Sequence, residues 1–245
     1  MVCRAVPAGQ LTAGGLGLWF LGVTMKFSSQ PDAFADAQAR MVREQLADFP
    51  PPVVAAMGKI PRHEFLPAAT RAFAYADCAV PIGFGQTISQ PWIVATMTTQ
   101  LNPKPADRIL EIGTGTGYQA AILAQLVAAV HTIEILEPLA RRARETLHRL
   151  GCANVQLRQG DGYGGWPEAA PFDGIIVTCA PAAVPEPLSA QLKDGGRLLI
   201  PVGPPGDQIL FVFQKHQGRL RELAQIPVRF VPMTGKVQHG SRTDF

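Results

Sequence analysis

The stretch Arg108-Ile109-Leu110-Glu111-Ile112-Gly113-Thr114-Gly115-Thr116-Gly117-Tyr118 constrains this chain more than any other. An apolar, β-favouring run ends in three glycines at alternate positions, and a helix-compatible stretch from Gln119 to Leu126 follows. That order predicts a strand, a tight turn and a helix N-terminus, where backbone comes close to a ligand and exposed N–H groups favour negative charge. The spacing is not that of a dinucleotide site. The phosphate-binding fingerprint is Gly-x-Gly-x-x-Gly, whereas Tyr118 stands at the sixth position. Glu111, two residues before the first glycine, would repel a pyrophosphate and attract an amino group. S-adenosylmethionine, with its ammonium, carboxylate, sulfonium and adenosine, is the ligand that suits such a turn.

From Arg108 onward the pattern alternates strand and helix, as in a parallel sheet covered on both faces. Strands are expected over Arg108–Ile112, Val130–Ile135, Val155–Arg158, Gly174–Thr178 and Arg197–Pro201. Helices are expected near Tyr118–Val127, Pro138–Leu150 and Pro185–Leu192, with Gly195-Gly196 as a helix end before the last parallel strand. Gln208–Gln214 and Leu220–Phe230, separated by Gln217-Gly218, read as an antiparallel hairpin. The fold class is α/β: a Rossmann-like class I methyltransferase fold, its mostly parallel sheet ending in that hairpin. Ahead of the sheet, helical spacing over Asp32–Ala47, Val53–Met57, Ala68–Tyr75 and Trp92–Leu101 predicts an N-terminal helical layer. Asp77 to Pro91, rich in glycine, proline and hydroxyl groups, reads as an irregular functional loop.

Ligands of an open parallel sheet bind beyond the carboxyl ends of its strands, at the switch point. Three strand ends carry an acid. Glu111 stands with Gly113, Thr114, Gly115 and Gly117 at the first. Glu134, at the second, lies about 20 residues on, a distance that suits acceptance from ribose hydroxyls. Asp161, in Gly160-Asp161-Gly162 after the third, could accept from an adenine amino group, although such a tripeptide is most often a plain turn. The fourth strand end, Thr178-Cys179-Ala180-Pro181, offers no obvious nucleophile. No proline-cysteine pair, Asn-Pro-Pro-aromatic run or Gly-x-Ser-x-Gly elbow exists, so pyrimidine attack, amino methylation and serine hydrolysis lack their motifs.

Composition narrows the class without naming it. Among 245 residues, 47% are hydrophobic, enough for a full core, and 22 basic residues stand against 19 acidic ones. The densest basic cluster, Arg141, Arg142, Arg144 and Arg149, shares a helix with Glu137 and Glu145 and reads as a solvated face, not a nucleic-acid patch. His63 reads as structural. The cysteines Cys3, Cys78, Cys152 and Cys179 show no pairing or metal spacing, which suits a reducing compartment and predicts no metal. Residues 1–28 form a leader, read as disordered or as a mis-assigned start, with Met25 as another start; residues 29–245 form one domain. Cytoplasmic residence is expected, the alternative being export if residues 1–35 are a signal peptide.

Several stretches resemble the protein-L-isoaspartate O-methyltransferase family, from about Phe34 to the end. They are Pro61-Arg62-His63-Glu64-Phe65, Val80-Pro81-Ile82-Gly83, Gly85-Gln86-Thr87-Ile88-Ser89-Gln90-Pro91, Leu110 to Ala121, and Phe172 to Thr178. The glycine turn is shared with many methyltransferases, and Gln86 to Pro91 is the discriminating stretch. The resemblance implies methylation, by S-adenosylmethionine, of the free carboxylate of L-isoaspartyl residues, and by extension D-aspartyl residues, in damaged proteins. Repair then proceeds through a succinimide. It places the active-site serine at Ser89, substrate contacts at Thr87, Ile88 and Thr234, and cofactor contacts at Glu111, the glycine turn, Glu134, Asp161 and Gly162. Isoaspartyl proteins and peptides are the implied partners, with no nucleic acid, no stable membrane association and a monomeric chain. Rival readings are a methyltransferase of the same fold with a small-molecule or nucleic-acid substrate, a non-catalytic cofactor-binding sensor or scaffold and, more distantly, an NAD-dependent oxidoreductase.

Overall fold

The computed structural model describes residues 31–236. The leader read at residues 1–28 lies outside them. The central strand is β3 (Arg108–Ile112), buried at four of its five residues. Parallel neighbours are β4 (Ala129–Glu134) on one side and β6 (Phe172–Val177) on the other. Beyond them lie β5 (Val155–Gln159) and β7 (Leu192–Val202), both also parallel. Two antiparallel strands, β8 (Gln208–His216) and β9 (Arg219–Val228), complete a seven-stranded sheet ordered β5-β4-β3-β6-β7-β8-β9. The chain leaves β3 toward β4 and β5, then returns to β6 on the opposite side, so the switch point lies at the ends of β3 and β6. Isoleucine, leucine and valine fill these strands because both faces are covered.

Helix α4 (Tyr118–Ala124) and helix α5 (Glu137–Arg149) follow β3 and β4. On α5, Leu139, Ala140, Ala143 and Leu147 recur at helical spacing and face the core. The arginines divide their work. Arg141 makes an exposed pair with Glu137 one turn earlier, as a solvated face requires, whereas Arg149 reaches Glu64 at 2.7 Å. Short helix α6 (Glu186–Gln191) leads directly into β7. The strand begins five residues earlier than its hydrophobic run suggested, so Gly195-Gly196 lies within it and not at a helix end. A Cβ on Gly196 would stand 2.7 Å from the Asp173 carbonyl oxygen, beside a register shift against β6. Glycine is required there by close backbone approach.

Ahead of the sheet come α1 (Pro31–Gln45), α2 (Pro51–Lys59), two 3-10 turns (Arg62–Phe65 and Arg71–Phe73) and α3 (Pro91–Leu101). The segment expected to be irregular, Asp77 to Pro91, contains a hairpin of β1 (Val80–Gly83) and β2 (Gln86–Ile88). Strands of four and three residues, one holding Pro81, are too brief to show a readable alternation. This hairpin closes over the strand ends.

Candidate active site

A cleft opens at the switch point, where ligands of an open parallel sheet bind. Gly113 and Gly115 form its floor, Glu134 and Leu136 one side, Gly162, Thr178 and Cys179 the other, and Gln86, Thr87 and Thr234 its rim. Gly113 has φ +93, and a Cβ there would lie 2.5 Å from the Thr178 hydroxyl oxygen. Thr178 uses that hydroxyl to donate to the Gly113 carbonyl at 2.5 Å. The fourth strand end therefore braces the glycine turn. Its contribution escaped the search for nucleophiles, although a hydroxyl residue just past a strand at the switch point was there to be noticed.

Each predicted acid has a distinct environment. Glu134 accepts from the Gly115 N–H at 2.7 Å and from the Leu136 N–H at 2.9 Å, one bond to each oxygen. Lone pairs remain on both for hydroxyl donors. Glu111 is 0% exposed, accepts from the Thr132 hydroxyl at 2.5 Å, and leaves its Oε1 buried without a partner. Burial raises its pKa to about 8, against the lowering effect of the Thr132 bond, and Glu134 raises it further. A buried carboxylate oxygen without a donor beside a glycine turn fits an ammonium ligand. Asp161 stands beside the cleft wall formed by Gly162, and its oxygens accept from the Tyr163 and Lys236 N–H groups at 2.9 Å each, one bond to each oxygen. Cys179 lines the cleft as an inert thiol, pushed up to about 12 by burial and then by Glu134 and Asp161.

A second, inner cavity shares Gly113, Gly115, Thr87 and Thr178 with the cleft and adds Ile88, Ser89, Glu111 and Thr114. A third, wider groove runs outward from Thr87, Ser89 and Thr178 past Trp92, Gln208 and Arg229. Thr87 and Thr178 line all three spaces, so the serine loop and the glycine turn meet there. Thr234 reaches the rim because the C-terminal segment runs beside the fourth strand end. The Ala180 N–H donates to the Val231 carbonyl and the Met233 N–H to the Ala180 carbonyl, both at 2.8 Å. Gly117 is elsewhere: it has φ +89, and a Cβ there would meet Leu147 at 3.1 Å, so this glycine serves helix packing. Thr114 lines the inner cavity, its hydroxyl within 2.6 Å of the Thr132 hydroxyl.

The serine loop is anchored by a residue whose role periodicity did not reveal. Arg62 is 0% exposed; its Nε donates to the Ala74 carbonyl at 2.6 Å and its Nη2 to the Ser89 carbonyl at 2.7 Å. Its guanidinium carbon lies 4.8 Å from the centroid of the Tyr118 ring, the first residue of α4. Burial lowers its pKa to about 10, and no acid among the described residues pairs with it. His63 is structural as expected, with its Nδ1 2.7 Å from the Tyr75 hydroxyl and its ring stacked on Phe34 at 4.4 Å. Cys152 and Cys179 are free thiols. No group of three or more potential metal ligands occurs among the described residues.

Comparison with known proteins matches this geometry to one family. The family model described as protein-L-isoaspartate(D-aspartate) O-methyltransferase matches residues 40–238. Protein-L-isoaspartate O-methyltransferase 2 of Syntrophobacter fumaroxidans is 51% identical over 83% of this chain and 88% of its own. Protein-L-isoaspartate O-methyltransferase 1 of Nitrosospira multiformis is 48% identical over 91% and 97%. Among solved structures, a protein-L-isoaspartate O-methyltransferase superposes with a TM-score of 0.75 at 30% identity, covering 82% of this chain and 67% of that one. A Plasmodium falciparum protein described in the same terms, in complex with S-adenosyl-L-homocysteine, superposes at 0.71 over 82% of this chain and 98% of that one; at 24% identity it shows the shared fold. The chain belongs to the protein-L-isoaspartate(D-aspartate) O-methyltransferase family.

Proposed function

We propose a division of labour, residue by residue, for this family's reaction in this chain. The chain is an S-adenosylmethionine-dependent methyltransferase of L-isoaspartyl residues, the activity of the family. In our reading the cleft holds the adenosine and the inner cavity the amino-acid end. Glu134 receives the ribose hydroxyls and Glu111 faces the ammonium. Asp161 ties the C-terminal segment down and offers its remaining lone pairs to the adenine amino group, and Gly162 forms the wall on the adenine side. When bound, S-adenosylmethionine supplies an electrophilic methyl group, which an isoaspartyl α-carboxylate, ionised at neutral pH, accepts without losing a proton.

The protein therefore needs no general base. Its task is alignment and exclusion of water, effects worth up to about 7–11 kcal/mol in well-oriented systems. Ser89 and Thr87 orient the carboxylate through neutral donors, and Ile88 fixes the loop by burial. Neutral donors suit a reaction that discharges its nucleophile, because a full cation at contact would stabilise the ground state more than the transition state. Arg62 keeps its charge behind the Ser89 carbonyl. Thr234 closes the rim, and the groove past Trp92 and Arg229 receives the polypeptide on either side.

The meeting of three spaces at Thr87 and Thr178 carries this reading. Its test is methyl transfer from labelled S-adenosylmethionine to an isoaspartyl peptide, beside the same peptide with normal aspartate. Base-labile label on the first alone supports it; label on neither, from protein that binds the cofactor, overturns it. One catalytic domain, monomeric and cytoplasmic, without nucleic-acid partners, completes the proposal. Phe34, inside the span that export would assign to a signal peptide, stacks on His63 in the folded layer, which supports retention. Cell fractionation tests it. No helix of the described residues is long and apolar enough to cross a membrane.

A further inference from the structure

Thr132 lies on β4 with 0% exposure, and a hydroxyl buried that deeply needs a partner. Sheet register supplies one. Thr132 stands opposite Glu111 on the adjacent parallel strand, so the two side chains leave the sheet on the same face. Thr132 Oγ1 donates to Glu111 Oε2 at 2.5 Å, and Thr114 Oγ1 lies 2.6 Å from the same Thr132 oxygen. Thr114 belongs to the glycine turn, which β4 also holds through the Ile133 carbonyl. The Gly113 N–H donates to that carbonyl at 2.9 Å and the Thr114 N–H at 3.2 Å. Two hydroxyls therefore run from the turn to one carboxylate oxygen.

Each hydroxyl has a single proton, which gives the chain a direction. Thr132 spends its proton on Glu111, so Thr114 donates to Thr132. The acceptor at the end is the ionised carboxylate, the form that such a bond favours. A proton on Oε2 would reverse both bonds. A proton taken up by Glu111 is therefore directed to Oε1, which has no partner, and is lost when an ammonium group arrives there. The other neighbours oppose ionisation or are neutral. Burial opposes it most strongly and Glu134, at the end of β4, adds repulsion. Strand β6 sets Ile176 opposite Glu111, and α3 brings Val94 and Met97 to the inner cavity. Helix α4 brings Gln119 and Tyr118, whose phenol burial pushes up to about 12 and so keeps protonated. Among the described residues, Thr132 is the one hydrogen-bond donor that reaches this carboxylate.

We infer that Thr132 is a positioning residue for cofactor binding: its hydroxyl, backed by Thr114, occupies Oε2, favours the ionised form of Glu111 and leaves Oε1 for the ammonium group. This rests on the function proposed above and deepens it with a residue that lines neither the cleft nor the inner cavity.

The test reads Glu111 directly, by carbon NMR of its side-chain carboxyl from about pH 5 to about pH 10, with Glu111→Gln to assign the signal. Wild type should titrate near pH 8. Thr132→Val, which keeps the branched shape and loses the hydroxyl, should raise that midpoint by about one pH unit, the size of a hydrogen bond to a charged group. Thr132→Ser should restore it. Thr132→Ala gives the same reading if the valine variant does not fold. Calorimetry with S-adenosylhomocysteine, which carries the same amino group and does not turn over, should show about tenfold weaker binding by Thr132→Val near pH 7. In a Glu111→Gln background the same substitution should weaken binding less than about twofold, because the carboxylate it serves is gone. A merely structural threonine would weaken binding equally in both backgrounds and leave the midpoint in place. Either of those results overturns the inference. Failure of wild type to bind S-adenosylhomocysteine, with the midpoint moving as expected, would instead overturn the function on which it rests.

Discussion

On the sheet side of the cleft, site residues hang on strand ends, and backbone N–H groups satisfy both Glu134 oxygens. On the opposite side, Thr87 and Ser89 belong to a segment with strands of only four and three residues. That segment is fixed by contacts from far along the chain: Arg62 to the Ser89 carbonyl and Arg142 to the Ile82 carbonyl. The sheet wall draws its geometry from regular pairing, so many bonds share the task of holding it. The serine wall depends on a few long side chains. Damage to the first should appear as lost cofactor affinity, and damage to the second as lost turnover.

The largest effect is expected at Arg62, where the comparison is most exposed to failure. Arg62→Met keeps much of the side-chain volume but leaves the Ala74 and Ser89 carbonyls without their donor. Two bonds from a charged group are worth about 3–5 kcal/mol together, and Tm should fall accordingly. Turnover of an isoaspartyl peptide at a temperature where the variant remains folded should fall further than S-adenosylmethionine affinity. Arg62→Lys should recover part of the kcat by reaching one carbonyl. If Kd for the cofactor collapses in parallel with kcat, the Tyr118 contact joins the walls into one unit and the distinction fails.

Ser89→Ala and Glu134→Ala sharpen the contrast as a pair. Ser89→Ala should reduce kcat about 10- to 100-fold through misalignment of the substrate carboxylate, with the S-adenosylmethionine Kd unchanged. Stopped-flow binding beside steady-state turnover separates the two quantities, and unaltered turnover removes Ser89 from the mechanism. Glu134→Ala should weaken the cofactor about tenfold, the value of a charge-assisted hydrogen bond to ribose. Titration calorimetry measures it. An unaltered Kd would reassign Glu134 to bracing the Gly115 and Leu136 N–H groups alone.

The same division explains what was legible in the sequence. Ile109, Leu110 and Ile112 announce a buried strand by composition, and the glycine turn announces its end, so the position of Glu111, Gly113 and Gly115 at a strand end is written in the sequence itself. Periodicity of that kind is local. The β1–β2 hairpin is too short to carry a period, and β7 runs through two glycines that ordinarily punctuate a helix end. Arg62 was visible only within a family stretch, because its partners at Ala74 and Ser89 lie 12 and 27 residues away. Gly117 shows the converse limit: a glycine in the right turn can serve packing within its own chain.

The smallest effect, and the one that sharpens the account of the sheet wall most, concerns pH. Glu111 has a pKa of about 8 in the folded protein against 4.5 for the free side chain, chiefly through burial. The folded state therefore binds more protons than the unfolded chain between pH 4.5 and 8, and stability contributed at this position falls as pH rises through that window. Glu111→Gln removes the titration, so its Tm relative to wild type should rise with pH and level off above about 8. Ligand affinity should move the opposite way. A cationic amino group prefers the ionised carboxylate, so wild-type affinity for S-adenosylmethionine should increase up to about pH 8 with release of a proton, whereas Glu111→Gln should bind more weakly with a flatter profile. Calorimetry in buffers of different ionisation enthalpy counts the proton directly. A variant that gains alkaline stability while losing affinity would mark Glu111 as a charge kept at the expense of the fold for its ligand. A variant that changes neither would make the buried oxygen a passive part of the core, and leave the backbone of the glycine turn to hold the amino-acid end alone.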